Sequence, residues 1–491
     1  MLLVLNILFL LLVFYFVYDY NKKNKRYKNE LTLRALPVLG HLHLLSRRVH
    51  ESLFNLMNQY KIKTIRLWLG DNPTLVVMDP EILQEIYVKN FSNFNDRFEL
   101  PVLKWYSNGY RTLTNAAGQD WKDTKSMVIR VFSNIKIRQV SHIFEDQCQK
   151  MIKAMKNQNG SAINIKPFTQ KYTFNNLCKY LYSLETPYDD TNVANYQKIE
   201  GLLKSMEKIF EISGPKIADM FKFLSPLRDV YFSLFRPEIS ILKKYINEIF
   251  QDHLKTIDYE NPRDLMDILI TELDIKKHPE NISKIEDVGF DLLIAGSETS
   301  SLTVQWFILI MANYPEVQKK MYVEIKSIID SQNVDKKSSN VHIRLQNRNS
   351  TPYVNAVIKE IMRYKPTGPF NLPRKAANDI TIKDIFIPKG TQILHFHYGM
   401  LKSEDFWLRS NEFLPERFIN DNHSDVFFPF SLGNRNCIGV NLAQDQIYLG
   451  VTNLISNFKI KPPPGVEKLD ETECPGLALS PVPFKVILEN R

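Results

Sequence analysis

From Lys284 to Asn313 the chain reads KIEDVGFDLLIAGSETSSLTVQWFILIMAN, thirty residues with no proline, halted just before Tyr314-Pro315. This predicts one continuous helix, and at about 1.5 Å per residue it is about 45 Å long, enough to cross a whole domain. Any fold that holds such a helix is built around it. A transmembrane span is a rival, but Glu286, Asp287, Asp291 and Glu298, with serines and threonines around the last, make lipid exposure expensive. A buried central helix is therefore expected. Its midpoint, Ala295-Gly296-Ser297-Glu298-Thr299-Ser300, sets small side chains beside an acid and an alcohol, so that a flat ligand can approach the backbone. Thr299 can return a hydrogen bond to the Ala295 carbonyl and loosen one turn, leaving a notch for a diatomic or a water. Taken alone, a Ser/Thr patch in a buried helix is more often a packing feature.

The first eighteen residues, MLLVLNILFLLLVFYFVY, hold one polar side chain, Asn6, and no charge. They nearly span a hydrocarbon core. A cleaved signal peptide begins with a basic region and ends at a small-residue site, so the segment reads as an uncleaved anchor. We assign residues 1–20 to the anchor, 21–40 to a basic juxtamembrane segment with a hinge at Pro37 and Gly40, and 41–491 to a single domain. Lys22, Lys23, Lys25, Arg26 and Lys28 put the flank, and the domain after it, in the cytosol. Those five cations account for five of the nine net positive charges. With no basic-aromatic recognition motif, nucleic-acid binding is not expected. Cys148, Cys178, Cys437 and Cys474 form no C-x-x-C pair, which argues against both a disulfide framework and a thiolate zinc site.

TIRLWLG and PTLVVMD read as strands, the second leading at Asp79-Pro80 into a helix. From Trp121 to Tyr259 apolar residues recur with helical spacing, broken by prolines. Ser331–Ser350 reads as a surface loop, and DITIKDIFIPKGTQILHFHYG as a small hairpin containing Pro388-Lys389-Gly390. His41/His43 and His395/His397 would each share a strand face, but neither pair has a third metal ligand. The expected class is mainly α (α+β), a helix-rich domain with small sheets.

Glu360 and Arg363 stand three residues apart on an apolar helix, where a buried ion pair needs a further partner, and Arg417 in LPERF is the candidate. In FPFSLGNRNCIG the lone Cys437 has fixed neighbours. A thiolate there can be a nucleophile, a zinc ligand or an axial ligand of haem iron. The flanks favour the last. Gly433 permits a tight turn, main-chain N–H groups after Cys437 can tune the sulfur, and Gly439 lets the next helix approach a porphyrin; Phe430 would shield the sulfur and Arg435 neutralise a propionate.

The ten-residue pattern F-x-x-G-x-R-x-C-x-G from Phe430 to Gly439 resembles the haem-binding signature of the cytochrome P450 family. Ala295–Ser300, Glu360/Arg363 and Pro415-Glu416-Arg417-Phe418 stand in that family's order, and the resemblance runs from about Leu31 to the end. It implies the cytochrome P450 fold, with haem b (iron protoporphyrin IX) between the central helix and the cysteine loop. It makes Cys437 the proximal iron ligand, whose thiolate pushes electron density toward O–O cleavage. Glu298 and Thr299 match the acid-alcohol pair that relays protons, with Ala295 and Gly296 beside the haem. Glu360, Arg363 and Arg417 match a structural network, and Trp121, Arg374, Arg435 and Arg97 match groups that hold propionates. Lys125 stands where arginine is usual, so its contact lacks the planar fork. Gln444 and Gln446 stand where charged residues are common, which reads as surface variation.

By the same analogy the substrate is lined by Phe98, Leu100 and Val102, by Phe290, Leu293 and Ile294, by Phe370 to Leu372, and by Leu477 to Leu479. These suit a lipophilic molecule. The implied activity is a monooxygenase anchored in the endoplasmic-reticulum membrane and facing the cytosol. It uses dioxygen and electrons from a separate NADPH-cytochrome P450 reductase or cytochrome b5, since the chain has no dinucleotide fingerprint. Two alternatives are a haem-thiolate peroxide isomerase or dehydratase, against which the intact Glu298-Thr299 argues, and a noncatalytic haem or lipid carrier.

Overall fold

The computed structural model describes residues 2–25, 33–131, 141–158, 160–188, 193–214, 216–333, 342–421 and 423–491. The helices that position the site are α1 (Leu2–Lys23), α2 (Gly118–Val131), α3 (Lys166–Tyr182), α4 (Val193–Ser213), α5 (Ser225–Phe235), α6 (Ile282–Asn313), α7 (Pro352–Tyr364) and α8 (Val440–Asn457). The 32-residue α6 is the expected central helix. It stops at Tyr314 (φ −125, ψ 69) because Pro315 excludes helical geometry from the residue before it. Although apolar and long enough to cross a membrane, this helix lies largely inside the protein. Its acids find partners there: Asp287 pairs with Lys243 at 2.5 Å, and Asp291 accepts from Tyr106 Oη at 3.0 Å and from the Thr114 N–H at 2.6 Å. Helix α3 packs closest. A Cβ on Gly296 would stand 2.8 Å from Leu177 Cδ1, so glycine sets that approach. Pro167 and Pro226 start helices α3 and α5, where a missing N–H costs nothing.

Strands β1 (Thr64–Leu69) and β2 (Asn72–Val77) form an antiparallel hairpin, extended by β3 (Arg374–Lys375) and β4 (Gln392–His395) in the order β1-β2-β4-β3. Asp79 caps the following helix, accepting from the N–H groups of Glu81 and Ile82. The small hairpin expected in DITIKDIFIPKGTQILHFHYG forms, but its turn is not at Pro388-Lys389-Gly390. The hairpin turns at Lys383-Asp384 between Ile380–Ile382 and Ile385–Ile387, and Pro388–Gly390 instead redirects the chain into β4, parallel to β2. The histidine pairs share no strand face: His41 and His43 lie in and beside a 3-10 turn, and His397 begins a helix after β4 ends at His395. Residues 334–341 of the expected surface loop lie outside the described residues, whereas Leu345–Ser350 form a 3-10 turn with Asn347 buried.

Helix α1 is exposed and apolar, long enough to cross a bilayer. Its C-terminal end docks on the body. Lys23 pairs with Asp19 at 2.9 Å and donates to the Val38 carbonyl at 2.9 Å, while Asp19 accepts from the Val38 N–H at 2.7 Å. Asn24 exchanges two bonds with the Ala35 backbone, and the ammonium groups of Lys22 and Lys23 cover the Trp68 ring. Arg26 and Lys28 lie outside the described residues.

Helix α7 carries the buried pair. Arg363 makes a two-pronged contact with Glu360, both bonds at 2.8 Å, and spends its other donors on the carbonyls of Leu401, Ser410 and Glu412. Glu360 also accepts from the Leu414 N–H at 2.8 Å and from Arg417 at 3.2 Å. Both charges are fully enclosed and every guanidinium donor is used, the condition under which a buried pair is tolerated.

Candidate functional site

The Cys437 loop and the midpoint of α6 line one cavity of about 400 Å³. The loop is held by backbone geometry. The Cys437 N–H donates to the Phe430 carbonyl at 2.9 Å and the Asn436 N–H to the Gly433 carbonyl at 3.1 Å. Gly433 sits at φ +71, and a Cβ there would lie 2.1 Å from the Tyr87 carbonyl oxygen. Cys437, Phe430, Arg435 and Gly439 face the cavity, followed by Leu442, Ala443 and Ile447 from α8; Gly433 shapes the turn from behind. The Cys437 side chain is open to the cavity, the protein packed around it desolvates the thiol and pushes it up, and the Gly439 N–H works against that rise.

Leu292, Ala295, Gly296, Thr299, Ser300 and Thr303 form the α6 stripe on the same cavity, the i, i+3, i+4 rhythm of one helix face. Thr299 Oγ1 donates to the Ala295 carbonyl at 2.7 Å, the bond expected from sequence. Glu298 is not part of this stripe. It is buried on the neighbouring face, where Gln170 of α3 donates to it at 3.3 Å, and burial pushes its carboxyl up to about 7. The acid and the alcohol thus look in different directions.

One edge of the cavity gathers positive charge. Arg97, Lys125 and Arg435 line it beside Trp121, whose ring lies 4.3 Å from the Arg435 guanidinium and 5.1 Å from the Lys125 ammonium. Lys125 donates to the Asn434 carbonyl, and Arg97 to the carbonyls of Thr114 and Leu372 at 2.9 and 3.0 Å. Arg374 does not line the cavity. It is fully buried behind, 3.7 Å above the Tyr87 ring, and bridges to Arg97 through the backbone. Among the described residues no carboxylate pairs with any of these four cations, and Arg374 Nε and Nη1 and Arg435 Nη1 have no acceptor. Burial and mutual repulsion drive Arg97 down to about 9 and Arg435 to about 8. Buried guanidinium groups without counter-charges call for an anion. The donor set fits the two carboxylates of a haem.

Of the residues expected around a substrate, Phe370, Asn371, Leu372, Leu477 and Ala478 line the cavity. The other seven, Leu479 among them, do not. Phe98, Leu100 and Val102 pack into a separate apolar cluster with Ile212 and Phe232, while Phe290, Leu293 and Ile294 fall on the faces of α6 that feed the main core. Leu103, Tyr106, Phe210 and Leu292 line it instead. Counting back seven from Thr299 would have found Leu292. Gln446 also differs from expectation. It is fully buried, not on the surface, and its amide donates to the Gly296 carbonyl at 3.2 Å and to Ser300 Oγ at 2.6 Å.

The family profile described as Cytochrome P450 matches residues 32–488. Relatives from Dictyostelium discoideum match over their whole length. "Probable cytochrome P450 508A4" is 34% identical over 512 residues, covering 100% of both chains. "Probable cytochrome P450 508A2" is 33% identical over 99% of each, and "Cytochrome P450 monooxygenase 521A1" is 31% identical over 99% of this chain and 100% of that one. On a helix-rich fold that sets a cysteine loop against a notched central helix, with relatives matched end to end, the chain belongs to the cytochrome P450 family of oxidoreductases.

Proposed function

We propose that the protein is a membrane-anchored haem-thiolate monooxygenase that inserts one oxygen atom from dioxygen into a lipophilic substrate, with electrons from an NADPH-dependent reductase. The observation that carries this reading is the meeting of Cys437, the α6 notch and an unpaired cationic edge around one cavity. When bound, haem b would supply an iron for dioxygen activation, held by the Cys437 thiolate.

The chain's own residues do the rest. Arg97, Lys125 and Arg435 would present charge to the propionates, the last two packed against the Trp121 ring, and Arg374 would add its charge from behind. Phe430 and Gly439 line the wall beside the sulfur, and Ala295 and Gly296 keep the opposite wall low. Thr299 has its hydroxyl proton on the Ala295 carbonyl, so its oxygen can accept from a water or a ligand in the notch. Glu298 holds a proton near neutral pH, and a change of rotamer or a water is needed to bring that proton to the Thr299 side. Glu360, Arg363 and Arg417 act on the fold alone. Helix α1 and its basic flank suit a single-pass anchor in the endoplasmic reticulum with residues 41–491 in the cytosol, and basic residues on the thiolate side suit an acidic reductase or cytochrome b5.

The test is the carbon monoxide difference spectrum of the dithionite-reduced protein beside Cys437→Ala. A long-wavelength Soret band that disappears in the variant supports the reading; a band at the position of histidine-ligated haem, or folded protein without haem, refutes it.

A further inference from the structure

The four cations of the cavity edge are seated in two different ways. Arg97, Lys125 and Arg435 each donate to a main-chain carbonyl, that of Thr114, Asn434 and Ala116 respectively. Arg374 is the exception. It is fully enclosed, and its Nε and Nη1 find no acceptor among the described residues. What it meets instead is the face of the Tyr87 ring, with 3.7 Å between the guanidinium carbon and the ring centre. A buried guanidinium without a carboxylate is costly, and an aromatic face offsets part of that cost while leaving the N–H donors unspent.

An unusual turn puts Tyr87 in this place. The helix Pro80–Gln84 widens into a π turn over Glu85–Lys89, closed by the Asn90 N–H on the Glu85 carbonyl at 2.8 Å. Such turns are rare and frequently sit at functional sites. This one gives Tyr87 two roles in packing at once. Its buried ring lies against Arg374 and, edge to face, against His395 at the end of β4, 5.9 Å between ring centres. Its main-chain carbonyl presses on the turn that carries Cys437, leaving Gly433 no room for a side chain. That loop is held from the same side a second time, since Asn371 donates to Ser431 Oγ at 2.9 Å and to His395 Nδ1 at 2.5 Å. The Tyr87 hydroxyl makes no bond among the described residues, so the ring face and the main chain account for the whole arrangement.

We infer that Tyr87 is a positioning residue for the haem: its ring seats the Arg374 guanidinium while its carbonyl sets the Gly433 turn, so that one residue fixes the cationic edge relative to the cysteine loop. The ring carries the role and the hydroxyl does not. Tyr87 touches neither the cavity nor a ligand and acts only through Arg374 and Gly433. This inference rests on the haem-thiolate reading and deepens it, since it concerns how firmly the group is held and at what potential.

The experiment uses the full-length holoprotein and follows two quantities, the rate of haem transfer from the ferric protein to excess apomyoglobin and the midpoint potential of the haem iron. Tyr87→Leu should transfer haem about three- to thirtyfold faster than the parent, and Tyr87→Phe should stay within about twofold of it. Arg374→Leu speeds transfer by itself, and in that background Tyr87→Leu should add less than about twofold, because the ring has lost the group it seats. The potential should fall in Tyr87→Leu as in Arg374→Leu, since a cation held less firmly beside the haem stabilises the ferrous state less. Should Tyr87→Leu give no holoprotein, difluoro- and trifluorophenylalanine placed at position 87 decide: they keep the shape of the ring while draining its face of charge, and transfer should quicken in that order only while Arg374 is present. A parent-like rate in Tyr87→Leu, equal acceleration with and without Arg374, a Tyr87→Phe as fast as Tyr87→Leu, or no trend with fluorination would overturn the assignment. The carbon monoxide band is recorded for each protein. A normal band with no dependence on the ring rejects this inference alone, and a parent protein without the long-wavelength band rejects the haem-thiolate reading.

Discussion

Gln446 Nε2 donates to Ser300 Oγ at 2.6 Å, a bond from the helix after Cys437 to the helix that carries the notch. The same amide reaches the Gly296 carbonyl, and its oxygen accepts from Asn176 of α3. Gln446→Leu removes all three bonds inside the core, and the expected cost is about 2–3 kcal/mol, read as a lower midpoint in thermal or denaturant unfolding. Gln446→Glu sets a carboxylate against the Gly296 carbonyl oxygen. Its loss of stability should shrink as the pH is lowered and the acid gains the proton it can donate; a loss independent of pH would show that the bond to Gly296 is not what matters.

Glu298 is held near 7 by burial, against 4.5 for an ordinary glutamate. An acid raised in the folded state keeps a proton that the unfolded chain has released. Its cost to stability is therefore absent below about pH 4.5, grows between that value and about 7, and is complete above. Glu298→Gln should leave stability unchanged at the acid end of the range and raise it by up to about 3 kcal/mol at pH 8. Unfolding of parent and variant across the pH series measures this. A constant difference across pH would contradict it. Under the proposed function the same variant should consume NADPH with less product per electron.

The α7 pair is enclosed with all donors satisfied, so breaking it exposes its members to each other's loss. Glu360→Gln and Arg363→Leu are each expected to cost about 3–5 kcal/mol and to lower the yield of folded protein. Arg363→Lys should not rescue, because an ammonium cannot make the two-pronged contact and also reach three carbonyls. Recovery of full stability by the lysine would show that charge alone suffices.

Gly433→Ala adds a methyl where the Tyr87 carbonyl already stands, at a positive φ. The loop has to move, and Cys437 moves with it. Under the proposed function we expect weakened haem retention, measured as the ratio of Soret to protein absorbance, with the far-UV spectrum unchanged. Gly439→Ala, where a Cβ meets no protein atom within 4 Å, tests the cavity side separately: any haem loss there reports contact with the haem itself.

Much of this site was legible because its chemistry is packed into short stretches. Cys437 and its neighbours lie within one loop, and the Thr299 bond to Ala295 joins two residues a single turn apart. Arg97, Trp121, Lys125 and Arg435 could be named from family order although they come from separate segments. What escaped depends on helix phase and on packing between distant segments. Phe290, Leu293 and Ile294 are as apolar as Leu292, and only their angular position sends them into the core. Gln446 looked like a surface residue because it is polar; the serine and backbone carbonyl that receive it are about 150 positions away in sequence.

The docked end of α1 also has a mechanical consequence. With Asp19, Lys23 and Asn24 bound to the backbone at Val38 and Ala35, the first helix is a rigid outrigger, not a slack leash. A lever fixed at one end transmits tilt, so under the proposed anchoring the angle at which the helix crosses a bilayer would set the angle at which the whole body rests on it. Trimming the chain before residue 25 to obtain a detergent-free protein removes more than grease. It strips the Val38 and Ala35 backbone of its partners and uncovers the Trp68 ring, leaving a raw edge where the intact chain has a sealed joint.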